Sequence, residues 1–403
     1  MKVTRQTFDA VMVPSYRPAA RIPVRGAGSR WWDQDGVEVI DFAAGIAVNA
    51  LGHAHPRLVE ALAQQAGRLW HVANLLTNEP ALRLASLLTT HTFAERVFFC
   101  NSGGEANEAA FKLARRWGNA RATGKNRIVS CLGSFHGRTL FTVSVGGQAK
   151  YSAGFEPLVA NILHVPFNDV HALEAALTPE VCAFVVEPVQ GEGGVTPASQ
   201  EFLQRAAALC RQHEALLIFD EVQSGNGRTG TLYAYEQLGV VPDVLTTGKG
   251  LAGGFPIGAM LTTTALSKAL PVGAHGSTFG GNPLACAVGE AVVSELLSPA
   301  LRQNVHARAK QLRTGLDEIG SRHGMWGATR GLGLLLGAPL SSRWVGESGA
   351  IVAAALADNV SILQAGVDVL RFAPALNIKE EDVAEGLTRL AAACGRMSRS
   401  PGR

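Results

Sequence analysis

From about residue 55 to residue 290, short apolar runs alternate with longer stretches in which apolar side chains return at helical spacing. Residues 96–100, 128–132, 182–187, 215–220, 244–247 and 257–262 read as buried strands, and 105–117 and 200–213 as amphipathic helices. Strands alternating with helices predict an α/β fold: a mostly parallel sheet covered on both faces. Ligands in such sheets bind beyond the carboxyl ends of the strands, and the polar residues of this chain gather there. After about residue 295 the rhythm changes. A helical run at 301–320 precedes short β-like pieces at 331–336, 360–364 and 369–372, and 379–394 closes as a helix. This pattern predicts a smaller α+β domain. The N-terminal stretch, with its Asp33-Gln34-Asp35-Gly36 turn between apolar runs, is expected to pack with it. The division is then 1–54 as an N-terminal segment, 55–290 as a large domain and 291–403 as a small one.

Composition sharpens this picture in three places. Of 403 residues, 47% are hydrophobic and 17% charged, which supplies a large core and argues against global disorder. The net charge of +3 lacks the basic footprint of a nucleic-acid binder, so no nucleic-acid partner is expected. The 45 glycines cluster in short runs between strand and helix patterns, where a backbone turns sharply or approaches a ligand. The six cysteines are scattered among apolar neighbours without a CxxC pair, and no HExxH or Cys/His spacing occurs, so neither a metal nor a disulfide framework is expected. The first residues lead into no apolar signal core, and no apolar run approaches the roughly 20 residues that span a bilayer. A cytoplasmic protein with no membrane partner is the expectation.

Four short stretches carry candidate chemistry. Asp220 ends an apolar strand at the ligand edge of the sheet. It is either a loop acid capping a helix or a carboxylate that keeps a heterocyclic nitrogen protonated, as the electron-withdrawing ring of pyridoxal 5'-phosphate (PLP) requires. Lys249 follows another strand within a glycine-rich segment, 29 residues later, and reads as belonging to the next strand. It is either a solvated charge or an amine that forms a Schiff base, which needs a close-lying backbone and a lowered pKa. Ser102-Gly103-Gly104 stands between a strand and a helix, where free N–H groups and the helix dipole favour a phosphate; the alternative is a plain helix cap. The GxxxxGK[ST] spacing of a nucleotide loop is absent. Phe135-His136-Gly137-Arg138 offers a ring to stack on a planar cofactor and a guanidinium to grip a carboxylate, or else a core Phe beside a surface Arg. Glu192 sits in the loop Gly191-Glu192-Gly193-Gly194, as a turn acid or as the partner of an arginine.

Taken in order, these stretches resemble the class III PLP-dependent aminotransferases of fold type I, in the acetylornithine/succinylornithine branch. Further matching stretches are residues 41–47, 51–56, 186–194, 227–230 and 275–283, with 141–148 and 371–374 for the branch. The resemblance implies a PLP-transferase fold with a large and a smaller domain, PLP as cofactor, and a homodimer with shared active sites. It implies Lys249 as Schiff base and proton shuttle, Asp220 at the pyridine nitrogen and Gln223 near the ring hydroxyl. Phe135 would stack on the ring. Ser102, Gly103 and Gly104 would hold the phosphate, with Thr278 reaching in from the partner subunit. Arg138, Ser277 and Tyr16 would contact substrate. Arg371 would bind an α-carboxylate, and Glu192 would mask it when an amine end enters. The implied reaction is a two-step transfer of the terminal amine of N-acetylornithine or N-succinylornithine to 2-oxoglutarate, giving a semialdehyde and glutamate in arginine metabolism. The alternatives are another ω-aminotransferase (ornithine, N-acetyl-lysine or succinyl-diaminopimelate), a PLP aminomutase or decarboxylase, or an idle PLP-binding protein. One departure stands out: Gly104 occupies a position where the family usually has Thr, so weaker cofactor retention is expected.

Overall fold

The computed structural model describes residues 3–399. Among these residues the strands form three sheets and one two-stranded ribbon. The N-terminal strands β1 (Pro23–Ala27), β2 (Arg30–Asp33) and β3 (Glu38–Asp41) make an antiparallel meander. The β2–β3 turn closes because Asp33 Oδ1 accepts from the backbone N–H groups of Asp35 (3.0 Å) and Val37 (2.9 Å).

The central sheet contains β4 (Arg96–Cys100), β5 (Arg127–Cys131), β6 (Ile162–Val165) and β7 (Val181–Val186). After a small ribbon of β8 (Val189–Gln190) and β9 (Thr196–Pro197), it continues with β10 (Leu216–Asp220), β11 (Val244–Thr247) and β12 (Gly258–Thr262). Its order is β4-β12-β11-β10-β7-β5-β6, and only β12 runs antiparallel to its neighbours. β7, β10, β11 and β12 are buried throughout, which explains their unbroken apolar runs. Residues 96–100, expected as a buried strand, form the sheet's edge instead, and Arg96 is exposed. An apolar run does not distinguish an edge strand covered on one side from a central one. β6 escaped the sequence pattern because its His164 interrupts the run.

The helix Gly103–Asn119 lies against this sheet through Ala106, Ala109, Ala110, Leu113 and Ala114, all fully buried. Small side chains let its axis approach the strands closely. The C-terminal strands are β13 (Arg330–Leu332), β14 (Leu335–Pro339), β15 (Val360–Ser361), β16 (Leu363–Gln364) and β17 (Val369–Phe372). The expected single piece at 360–364 is two strands in different sheets. β16 joins β13-β14-β17, whereas β15 pairs in parallel with β3, Val360 opposite Ile40 and Ser361 opposite Asp41. This pairing ties the N-terminal meander to the C-terminal residues. The long helices Pro299–His323 and Glu380–Arg399 pack together over this region.

Candidate active site

The carboxyl ends of β5, β7, β10 and β11 meet at one cavity of about 180 Å³. Its walls are Gly103, Gly104, Asn107, Phe135, His136, Gly137, Glu187, Asp220, Val222, Gln223 and Lys249. Asp220 ends β10, and its parallel partner on β11 is Thr246, three residues before Lys249. Strand adjacency therefore brings the carboxylate and the amine, 29 positions apart, into the same space.

Lys249 does not lie on the strand, as its sequence context implied. It opens a 3₁₀ turn, Lys249–Ala252, just beyond β11. Its φ of 42° is in the left-handed region, an unfavourable conformation for a lysine that persists only where the surroundings impose it. Asn226 is part of that restraint. Its side-chain amide donates to Thr247 Oγ1 (2.9 Å) and Gly248 O (3.0 Å), pinning the two residues before the turn.

Asp220 is 4% exposed and fully engaged. Its Oδ2 accepts from Asn107 Nδ2 at 2.8 Å and from His136 Nδ1 at 2.7 Å, and its Oδ1 accepts from Val222 N at 3.0 Å. Asn107 is itself fixed, donating to His136 O (2.8 Å) and accepting from Thr246 Oγ1 (2.7 Å). Glu187, just after β7, accepts from Phe135 N (3.0 Å) and Gly191 N (3.2 Å), tying two loops to the sheet edge.

Over the cavity, Arg371 of β17 is buried. It donates to Glu192 Oε1 (2.5 Å), Gln223 Oε1 (2.9 Å) and Gly191 O (3.2 Å). At the other end, the helix Gly103–Asn119 starts with Ser102 as its cap, whose hydroxyl accepts from Glu105 N at 3.2 Å. The backbone here is closely packed: a Cβ on Gly103 would come within 2.5 Å of Val222 Cγ1.

The model of the family "Aminotransferase class-III" matches residues 11–394. An acetylornithine aminotransferase of Pseudomonas putida is 56% identical over 398 residues, 98% of each chain. A succinylornithine transaminase/acetylornithine aminotransferase of Pseudomonas aeruginosa is 56% identical over 399 residues, 99% of this chain and 98% of that one. The crystal structure of N-acetylornithine aminotransferase from Stenotrophomonas maltophilia superimposes with a TM-score of 0.85 at 45% identity, covering 95% of this chain and 97% of the other. The chain belongs to the class III aminotransferases.

Aminotransferases of this class use PLP, and the residues present fit it. The backbone at the start of the helix Gly103–Asn119 offers free N–H groups and a positive dipole end to a phosphate. The cavity between those glycines and Lys249 is walled by Phe135 on one side and floored by a buried, hydrogen-bonded carboxylate. Electrostatics agree. Burial pushes the Lys249 amine down from the ordinary lysine value, partly opposed by the charge of Glu192, which favours a neutral nucleophile. Burial would also lower the pKa of His136, but its hydrogen bond to Asp220 and the charges of Asp220 and Glu187 outweigh that and raise it. Burial lifts Glu187 to about 7, offset in part by His136. Glu192 is likewise desolvated, yet the charge and hydrogen bond of Arg371 bring its pKa below the usual range.

Not every residue singled out from the sequence lines this cavity. Arg138 and Tyr16 line an adjacent one of about 320 Å³ with Ser15, Leu140, Val143, Tyr151 and Phe155. Ser277 Oγ accepts from Asn101 Nδ2 and Gly280 N, both at 3.1 Å, and braces its own turn. Thr278 is exposed on the surface of its own chain. Asn107, Glu187 and Tyr151 were given no role from sequence. The available signal was the buried polar side chain itself: Asn107 falls on the alanine face of its helix, and Glu187 follows six buried strand residues.

Proposed function

We propose that this aminotransferase transfers the terminal amine of N-acetylornithine or N-succinylornithine to 2-oxoglutarate, releasing a semialdehyde in one half-reaction and glutamate in the other. The names of the relatives from the two Pseudomonas species support the substrate class. The observation that carries the reading is the Arg371–Glu192 pair above the Lys249–Asp220 cavity. One site must admit an amine end that carries no carboxylate and then a dicarboxylate. An arginine that a neighbouring carboxylate can cover or release serves both.

Bound PLP supplies an aldehyde for amine exchange and a ring that withdraws electrons from the substrate carbon. The chain's own residues do the rest. Asp220, braced by Asn107 and His136, keeps a fixed negative charge on the cavity floor. Lys249 Nζ, with its lowered pKa, would take a proton from the amine-bearing substrate carbon and deliver it to the cofactor carbon across the nitrogen, which is what moves the amine. The N–H groups at Gly103 and Gly104, with the Ser102 hydroxyl, would hold the phosphate, and the Phe135 ring would pack against the cofactor. Gln223 keeps Arg371 in place as Glu192 moves away, and Arg371 then binds the α-carboxylate of glutamate or the matching group of 2-oxoglutarate. Arg138 and Tyr16 take the far end of the donor, with Ser277 near the same substrate path.

A homodimer goes with this reading. Trp70, Leu75 (95% exposed) and Leu76 are exposed on a segment whose His71 and Asn74 touch Phe279 and Ser277, the neighbours of Thr278, an apolar surface suited to being covered by a second copy. Covering it would carry Thr278 toward the partner's phosphate cradle. The division at 1–54, 55–290 and 291–403 belongs to the same proposal, as does a cytoplasmic location, which six free, buried thiols suit. No single helix among the described residues is long and apolar enough to cross a membrane.

The test is a donor panel scored as kcat/KM with 2-oxoglutarate. The acylated ornithines should lead, each giving one glutamate per semialdehyde. Equal or better turnover with free ornithine or N-acetyl-lysine would defeat the assignment.

A further inference from the structure

The tyrosine at position 151 has no part in the reading above, yet it touches two of the residues that reading uses. The guanidinium carbon of Arg138 stands 3.9 Å from the centroid of the Tyr151 ring. The Phe135 ring meets the same tyrosine edge-on, with centroids 5.4 Å apart and planes at 80°. Arg138 is exposed and extends along the wall of the 320 Å³ cavity, whereas Phe135 belongs to the 180 Å³ cavity. Tyr151 contacts both; Arg138 also stands 5.5 Å from the Phe135 ring, and Lys150 Nζ stands 4.6 Å from the Tyr151 ring.

Its placement is built into the backbone. Leu132 and Gly147 form an isolated parallel bridge. Gly147 N donates to Ser134 O (3.2 Å) and to Ser134 Oγ (3.0 Å). Gln148 Nε2 donates to Gly133 O (2.9 Å), and Tyr151 N donates to Gln148 O (3.0 Å). The segment carrying Tyr151 is thereby zipped along the loop that carries Phe135 and Arg138.

Resting on the function proposed above, we infer that Tyr151 is a positioning residue for donor recognition. Its ring face holds the Arg138 guanidinium in one orientation by cation–π attraction, while its edge packs on Phe135. An arginine on a flexible stem loses rotamer freedom when it grips a carboxylate, and a guanidinium already seated on a ring has lost part of it beforehand. Tyr151 therefore favours donors that present a carboxylate and acyl group to Arg138 over simple diamines. The attraction needs the ring and not its hydroxyl.

The experiment compares wild type, Y151F, Y151L, R138A and the R138A/Y151L double variant, all as PLP-loaded enzyme. N-acetylornithine and 1,4-diaminobutane serve as donors with 2-oxoglutarate, and calorimetry on the enzyme loaded with pyridoxamine phosphate, which cannot take up a second amine, gives the Kd of N-acetylornithine. Losing an exposed cation–π contact should raise KM and Kd for N-acetylornithine about two- to fivefold in Y151L, with kcat little changed. Y151F should restore both values. Diamine kinetics should not move, and Y151L should add nothing in the R138A background. A loss in Y151L that is equal for both donors, or that persists in full beside R138A, overturns the proposal. So does a Y151F as impaired as Y151L. A wild type that binds N-acetylornithine without passing on its amine defeats the transamination reading alone, since the Tyr151 comparison is still read in Kd. A wild type that does not bind it overturns both.

Discussion

Asp220 and Tyr16 stand at opposite ends of the site and are held in opposite ways. Asp220 is 4% exposed, ends a central strand and receives three hydrogen bonds. Tyr16 is 78% exposed, beside a cavity whose walls come from loops and short helices. The floor fixes charge where water is excluded, so an electrostatic interaction there keeps its strength. The mouth is made of side-chain pairs, Arg371 with Glu192 and Arg138 with Tyr151. The difference teaches where each property is encoded. On the proposed function, reaction type belongs to the sheet edge, and substrate choice to the loops together with Arg371 of β17.

The most severe way to test that contrast is at the floor. Lys249→Ala should abolish the absorbance band of the lysine-linked cofactor and reduce turnover about 10²–10⁴-fold, the usual contribution of a positioned proton-transfer group. Added small amines should restore part of it. Retention of near-wild turnover without them would remove Lys249 from the mechanism.

Behind the floor, Glu221 is fully buried, accepting from Ala234 N, Tyr235 N and the Ser224 hydroxyl. Burial lifts its pKa from 4.5 to about 7 despite those donors. The folded chain therefore keeps a proton that the unfolded chain has released, and stability falls as pH rises from about 4.5 to about 7. At about 1.4 kcal/mol per pKa unit the full effect is about 3 kcal/mol. Denaturant midpoints at pH 5 and pH 7.5 should show the decline, and Glu221→Gln should lessen it, with Glu187 keeping a share, while leaving KM values alone. A midpoint that climbs over this window would contradict the burial argument.

At the mouth, Glu192→Ala should uncover Arg371. The ratio of KM for the acylated donor to KM for glutamate should then rise roughly tenfold, within the strength of a charged hydrogen bond. Unchanged KM values for both would mean that the pair does not gate entry.

The mildest change sits between the two regions. A Cβ on Gly104 would meet nothing nearer than 3.8 Å, so Gly104→Thr can be accommodated. The added hydroxyl should tighten PLP retention by about 1 kcal/mol after its rotamer cost, roughly fivefold in the Kd found by dialysis and reloading. Weaker retention in the variant would show that the cradle is already complete.

Much of the sheet was legible because β7, β10 and β11 are buried on both faces and so are written as unbroken apolar runs. The edge strand β4 carries a similar run, which is why its position was misjudged, and β6 is too mixed to register. Lys249 and Asp220 were legible through their glycine-rich and strand-end contexts. Asn107, Glu187 and Tyr151 were not, because each acts on a residue distant in sequence, and periodicity reports only neighbours along the chain.

The sequence by itself determined the alternation of strands and helices, the glycine-lined turn before the helix Gly103–Asn119, and the residue types able to do amine chemistry. These are local properties, set by side-chain period and backbone freedom. Only the tertiary structure decided that Thr246 lies opposite Asp220, that His136 and Asn107 share one carboxylate oxygen, and that Arg371 of the last strand reaches Glu192. Strand order and loop closure bring together groups as far apart as Arg371 and Glu192, separated by 179 residues, and no local pattern specifies those pairings.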